Sequence, residues 1–242
     1  MLNFLRKIRK SYLLNNKAKS YLLYALGEII LVMAGILLAL YVNNLNEASK
    51  QNRQLRNIFE TVRADLVTDT LGATEIVSFY DSINKYSRKV INKEYNASTI
   101  DNCVWCRSLL TVYKPYTIQD KGYNMLKNFG KIDAEEQDSL QITILQFYKS
   151  MTDIIDQSNE FVKSETLSNL EYFANQPWFI DWMQGRFTNE MKTYFGNSEA
   201  FKNRVAKNYI LATQNHANFI NTHKRGAREI IKSIDSRLKF ND

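Results

Sequence analysis

Residues 21–43 read YLLYALGEIILVMAGILLALYVN, and Glu28 is the one charged residue among them. A helix of roughly 20 residues, rising 1.5 Å per residue, crosses the ~30 Å hydrocarbon core of a bilayer. The stretch is therefore predicted to be a single transmembrane helix. It divides the chain into residues 1–20, the span at 21–43, and a remainder at 44–242 of ordinary domain size. The apolar core is longer than that of a cleaved signal peptide, so it reads as an uncleaved signal anchor.

On the N-terminal side, Leu2, Leu5, Ile8 and Tyr12 recur at spacings of three and four. Arg6, Lys7, Arg9, Lys10, Lys17 and Lys19 surround them with no acid among them. This basic amphipathic segment has two readings. It is an interfacial helix on anionic membrane lipids, each cation near the surface worth about 1 kcal/mol, or it is a topology signal alone. On the C-terminal side Lys50, Arg53, Arg56 and Arg63 are mixed with Glu47 and Glu60. The unopposed cations are predicted to hold the N-terminus in the cytoplasm and place residues 44–242 outside it. The net charge of +7 belongs mostly to the tail, because residues 44–242 carry 26 basic and 24 acidic side chains. A nucleic-acid-binding domain is not indicated.

Within the span, Glu28, Val32, Gly35, Ala39 and Val42 are spaced four, three, four and three. Such a seam, with Gly35 and Ala39 as a small-xxx-small pair, lets two helix backbones approach, so homo-oligomers are expected. An ionised carboxylate facing lipid costs roughly 2.5–3.5 kcal/mol on insertion scales, so Glu28 is expected to face protein or water. Three readings stay open. Glu28 hydrogen-bonds in its protonated form between protomers, it lines a cation or proton path in an ion-conducting oligomer, or it snorkels to the cytoplasmic headgroups.

The run Gly27-Glu28-Ile29-Ile30-Leu31-Val32, then Gly35-Ile36-Leu37, Ala39-Leu40 and Asn43-Asn44-x-Asn46-Glu47, resembles the anchor of a bacterial domain-of-unknown-function family. Pro115, Gly122-Tyr123, Leu126-Lys127, Gly130, Leu140 and Phe147-Tyr148 form a second patch similar to that family. Leu45 stands where such anchors usually carry Trp. The resemblance implies a helical protein of the bacterial inner membrane and supplies no activity.

Only 8 Gly and 2 Pro in 242 residues favour long helices. Leu55, Phe59, Val62, Leu66, Ala73, Ile76, Tyr80 and Ile83 keep a four-three rhythm broken at Asp69, so one helix is expected to about Asn92, its stripe a core face within one subunit. Cys103-Val-Trp-Cys106 has three readings: a redox pair, half of a zinc site, or a structural disulfide. The chain has no other Cys and two His, and no βα pattern precedes the pair, so a disulfide in an oxidising compartment is the default. Lys114-Pro115-Tyr116 is expected to end a short helix, with Thr117 to Asp120 capping a helix at about 121–128 and Gly130 stopping it. Asp133 or Ala134 opens the next helix, with an acidic cluster of Asp133, Glu135, Glu136 and Asp138 that the helix dipole explains. Its apolar stripe runs through Leu140, Ile144, Phe147, Met151, Ile154 and Ile155 and on through Phe161 and Leu167 to Phe173.

Asn175-Gln176-Pro177 is the second break, and Pro177 suits the start of a helix carrying Trp178, Phe179, Trp182 and Met183. These aromatics read first as a packed corner, otherwise as a ligand pocket or lipid-contacting lobe. Gly196-Asn197-Ser198 is a turn with Ser198 as N-cap, ahead of a last helix from Glu199 to about Leu238. His216 and His223 lie on that helix seven residues apart and so on one face; they are expected to be solvated, otherwise to sense pH, and are too far apart to chelate one metal unaided.

No phosphate-binding glycine loop, HExxH, nucleophile elbow or kinase signature is present. The expectation is an all-α protein: a basic tail, one span, and an extracytoplasmic bundle of long antiparallel helices. Its expected role is a non-enzymatic, self-associating scaffold or sensor of the bacterial inner membrane, its domain periplasmic and open to a protein partner. No catalytic residue, metal site, cofactor or nucleic-acid partner is expected.

Overall fold

The computed structural model describes residues 18–129 and 139–239, all of its regular elements being helical. Helix α1 (Ala18–Ile91) runs 74 residues. No Pro interrupts it, and it ends one residue from the expected Asn92. Its end is closed by a Schellman arrangement: Glu94 N–H donates to Lys89 O, Lys93 N–H donates to Val90 O, and Lys93 adopts φ 61°.

The chain forms two compact units, Met1–Leu55 and Arg56–Asp242. In the first, α1 is long and apolar enough to cross a membrane. Its large side chains are exposed, Leu31 to 75%. A helix suits such a surface because every backbone polar group within the span is bonded inside the segment. The expected helix through Leu2–Tyr12 lies outside the described residues, as do Arg6, Lys7, Arg9, Lys10 and Lys17, whereas Lys19 falls in the first turn of α1.

In the second unit the same helix has a buried face. Phe59, Val62, Leu66, Ala73, Tyr80 and Ile83 are shielded from solvent, and each large apolar side chain so buried is worth about 1.5–3 kcal/mol. After α1 come a 3-10 turn at Ile100–Asn102, turns over 106–111 and an irregular stretch over 112–120. No helix runs into Pro115, which corrects the expected short helix: turns over 106–111 and irregular chain lead to it instead. Then follow α2 (Lys121–Phe129), α3 (Ser139–Ala174), α4 (Phe179–Met183), α5 (Asn189–Asn197) and α6 (Glu199–Asn208). Thr188 and Ser198 cap α5 and α6, their hydroxyls accepting from Met191 N–H and Phe201 N–H. A π-helical segment (Tyr209–Ala217) and α7 (Asn218–Lys239) complete the described residues. The last helix is thus not one regular α-helix, and α5 was not anticipated. Gly130, Asp133, Ala134, Glu135, Glu136 and Asp138 lie outside the described residues.

Helix α3 buries Ile144, Ile155 and Phe173 of the expected stripe and corrects it at Phe161 and Leu167. Phe161 and Leu167 are 53% and 56% exposed, while Ser158, Glu165, Thr166 and Asn169 are buried. The cause is α6. Lys207 pairs with Glu165, Arg204 donates to Asn169 Oδ1 at 2.9 Å, and the Arg204 guanidinium lies 3.6 Å from the centre of the Tyr172 ring. These partners let Glu165 and Asn169 be buried beside Val162 and Phe173, because a buried polar group is tolerated once it is bonded. The aromatic corner is a packed core: Trp178 lies 5.2 Å from Phe173 and 5.5 Å from Phe195, ring centre to ring centre.

Candidate functional site around two buried histidines

The irregular stretch 112–120 packs on the unit through buried Tyr116 and Ile118, and its backbone polar groups find partners outside regular structure. Side chains of α1 and α3 supply them. Tyr80 Oη donates to Lys114 O at 2.9 Å and accepts from Lys114 N–H at 3.1 Å. Asn159 accepts from Tyr116 N–H at 3.0 Å and donates to Tyr116 O at 2.7 Å. Asp69 accepts from Gln119 N–H at 3.1 Å, and Asp65 accepts from Gly122 N–H at 2.6 Å. The start of α2 is therefore tied by a carboxylate from α1. Gly122 is also required there, since a Cβ would sit 2.5 Å from the Val62 backbone nitrogen. The break in the α1 stripe at Asp69 now has a reason: this side chain holds the irregular segment.

Both histidines close over that segment, and both are fully buried, which corrects the expectation that they are solvated. They share a four-three register with Ile220, Ala227, Ile230 and Ile234, and so lie on the buried face. His216 Nε2 faces Lys114 O at 3.3 Å, and Nδ1 lies 2.7 Å from Ser158 Oγ. A carbonyl only accepts, so Nε2 carries the proton and Ser158 donates to Nδ1. The hydroxyl and base are in the relation of a nucleophile and its activator. Both are buried, so the pair ties α3 to the π-helical segment and does not present a reactive hydroxyl.

His223 is bonded differently. Its Nδ1 lies 3.0 Å from Tyr116 Oη, which itself donates to Asp69 O at 3.1 Å. Its Nε2 has no partner, and neither has the hydroxyl of buried Tyr148. Phe147 stacks on the imidazole at 5.1 Å and 23°. Burial sets the proton affinities here. It pushes the Asp69 carboxyl up to about 7, with the Gln119 N–H pulling it down and Asp65 pushing it up. It pushes His223 down to about 4 and lowers His216 as well, where the Lys114 carbonyl works the other way. Tyr116 and Tyr148 are raised above the ordinary phenol range by burial and then by Asp69. The centre thus combines imidazoles that stay neutral with a carboxyl that titrates near neutrality, and two polar atoms in it are unsatisfied. Buried unsatisfied groups and displaced proton affinities are features that gather at functional sites.

On the far side of Phe147 is a cleft of about 620 Å³ between α3 and α7. Phe147, Met151, Thr222, Arg225, Gly226, Arg228, Glu229 and Lys232 line it. Gly226 lets α7 approach α3: a Cβ there would lie 2.4 Å from a Phe147 ring carbon.

The residues singled out from the sequence lie elsewhere. Glu28, Val32, Gly35, Ala39 and Val42 are all exposed on α1, and a Cβ at Gly35 would meet nothing within 4 Å. Cys103 and Cys106 form a disulfide and are buried beside the aromatic corner. Among the described residues no group of three or more His, Cys, Asp or Glu side chains could hold a metal ion. Sequence reading missed Tyr116, Ser158 and the cleft. Asp69 was visible as the break in a stripe, and the histidines as members of a heptad. Comparison of the chain with protein-family models, with curated proteins and with solved structures finds no match.

Proposed function

We propose that this protein is a membrane-anchored, self-associating sensor or scaffold without enzymatic activity. In this reading the N-terminus is cytoplasmic and its cations rest on anionic lipid. Residues 44–242 form a periplasmic bundle of antiparallel helices at the bacterial inner membrane, in keeping with the anchor the span resembles. The observation that carries it is the exposed α1 face holding Glu28, Gly35 and Ala39 in a surface otherwise apolar. A lone span offers Glu28 no intramolecular partner, and a second copy provides one. The helical unit then supplies the receiving end. Its unsatisfied polar centre and adjoining cleft are the features of a domain that meets a ligand.

The test is mass photometry on full-length protein extracted in a mild neutral detergent. A defined oligomer is expected, and Gly35→Leu is expected to weaken it on the order of tenfold, the size of one lost helix–helix contact. A native monomer would overturn the reading.

A further inference from the structure

We propose that the cleft between α3 and α7 binds a small amphipathic anion, a carboxylate or sulfonate carried on an aromatic or short aliphatic body. The inference rests on the helical unit being the ligand-receiving part and names what it receives. At about 620 Å³ the cleft falls in the range of small-molecule sites, roughly 300–1,000 Å³. Its floor is apolar: Phe147, Met151 and the bare backbone at Gly226, a surface on which a flat ring or a short chain loses water favourably.

Its rim is cationic. Lys232 and Glu229 neutralise each other at 2.9 Å. Arg225 reaches only Thr222 Oγ1, at 3.5 Å, and Arg228 has no acidic partner among the described residues. Arg225 and Arg228 are three residues apart on one helix and so share a face. Two uncompensated guanidiniums beside an apolar floor fit a planar anion, which each can bond through two parallel N–H groups. A cation would meet a net positive rim. A neutral sugar would find Thr222 as the only uncharged polar side chain, and a metal ion would find one carboxylate.

The cleft also communicates with the buried centre. Phe147 is at once its floor and the cover of His223, whose Nε2 is unpartnered. A ligand that displaces this ring changes the surroundings of His223, which is how occupancy would reach the segment held by Tyr116 and Asp69.

The experiment is calorimetric titration of 2-naphthoate into the full-length protein in phosphatidylcholine nanodiscs, with empty nanodiscs subtracted. Saturable binding is expected. Arg228→Glu, an exposed change that leaves the fold intact, is expected to weaken it at least about tenfold, and uncharged 2-naphthylmethanol is expected to bind weaker by a similar factor. No saturable binding up to about 1 mM would overturn the proposal, as would equal affinity for the variant or for the uncharged probe. Mass photometry of the same sample reads self-association separately. Lost probe binding with intact oligomers fails the cleft alone, and monomers that still bind the probe fail the membrane seam alone.

Discussion

His216 and His223 stand seven residues apart on one buried face, and their surroundings differ. His216 has both ring nitrogens bonded, to Ser158 and to Lys114 O, and its ring meets the Tyr80 ring edge-on at 5.3 Å. His223 has one nitrogen bonded and one left over, beneath a phenylalanine that also faces an open cleft. A satisfied buried polar pair strengthens a fold by about 0.5–1.5 kcal/mol per bond, whereas an unsatisfied group costs about 1–3 kcal/mol. The first centre is therefore a structural joint. The second keeps a cost within the fold, as Ser87 and Thr166 also do, and unlike them it adjoins the cleft through Phe147.

The largest effect that separates the two centres is in pH, because Asp69 belongs only to the second. Its carboxyl is raised from 3.8 to about 7, so it contributes stability that is fully present below pH 3.8 and lost as pH rises through about 7. His223 is lowered from 6.5 to about 4, so its contribution is present above pH 6.5 and lost as pH falls through about 4. At 1.36 kcal/mol per unit these are about 4 and about 3 kcal/mol, opposite in sign, and they offset each other over pH 4–6.5. Asp69→Asn keeps an oxygen for the Gln119 N–H and removes one of the two slopes. Urea titrations across pH are expected to show the variant gaining on the wild type by up to about 4 kcal/mol between pH 4 and pH 8. A constant difference would mean that Asp69 ionises normally and that the second centre has no special electrostatics.

The next largest contrast comes from replacing each imidazole with a benzene ring. His216→Phe removes two bonds, although the Ser158 proton can then turn to Ile155 O and Lys114 O still accepts from Tyr80. The expected cost is about 2 kcal/mol. His223→Phe removes one bond, leaves Tyr116 donating to Asp69 O, and deletes the unsatisfied nitrogen. Its expected cost is about zero. The slightly larger ring strains both sites alike, so the difference between the two denaturation midpoints is the quantity to read. Equal costs would remove the distinction on which the second centre rests.

These two centres also mark how far the sequence can be read. The end of α1, the helix over 121–129, the break at Pro177 and the Ser198 cap were legible because each depends on residues within a few positions of itself. The face of α3 was not. Whether Phe161 or Glu165 is buried depends on Lys207 and Arg204, some forty residues on, and local periodicity favours the apolar side chain by default. The π-helical segment left a trace, since buried Asn208, Ala212, His216 and Ile220 are spaced by four three times running. A regular α-helix drifts off one face under that spacing, and a π-helical stretch, rare and frequent at functional sites, restores it. Asp69 was visible as an interruption, but its meaning needed Gln119, fifty residues away. The cleft had no sequence signal, because Arg225 and Arg228 alone look like a solvated helix surface. Only Gly226 distinguishes that turn, and its role is visible once Phe147 is seen against it.

The smallest effect concerns that glycine and sharpens the comparison most locally. In Gly226→Ala the new methyl lies 2.4, 3.2 and 3.3 Å from three Phe147 ring atoms, so the ring has to move. Overpacking of this kind costs roughly 1–3 kcal/mol, and exchanging Gly for Ala in a helix returns about 1 kcal/mol. The net loss expected in a urea titration is about 1 kcal/mol. The informative readout is not stability but place. The Phe147 ring stacks on His223 and makes no ring contact with His216, so imidazole resonances in a histidine-labelled sample are expected to shift for His223 and hold still for His216. Matching shifts at both would mean that the two centres move as one body. A shift at neither would mean that Phe147 can yield without disturbing what it covers, and the cleft would then have no route to the buried centre.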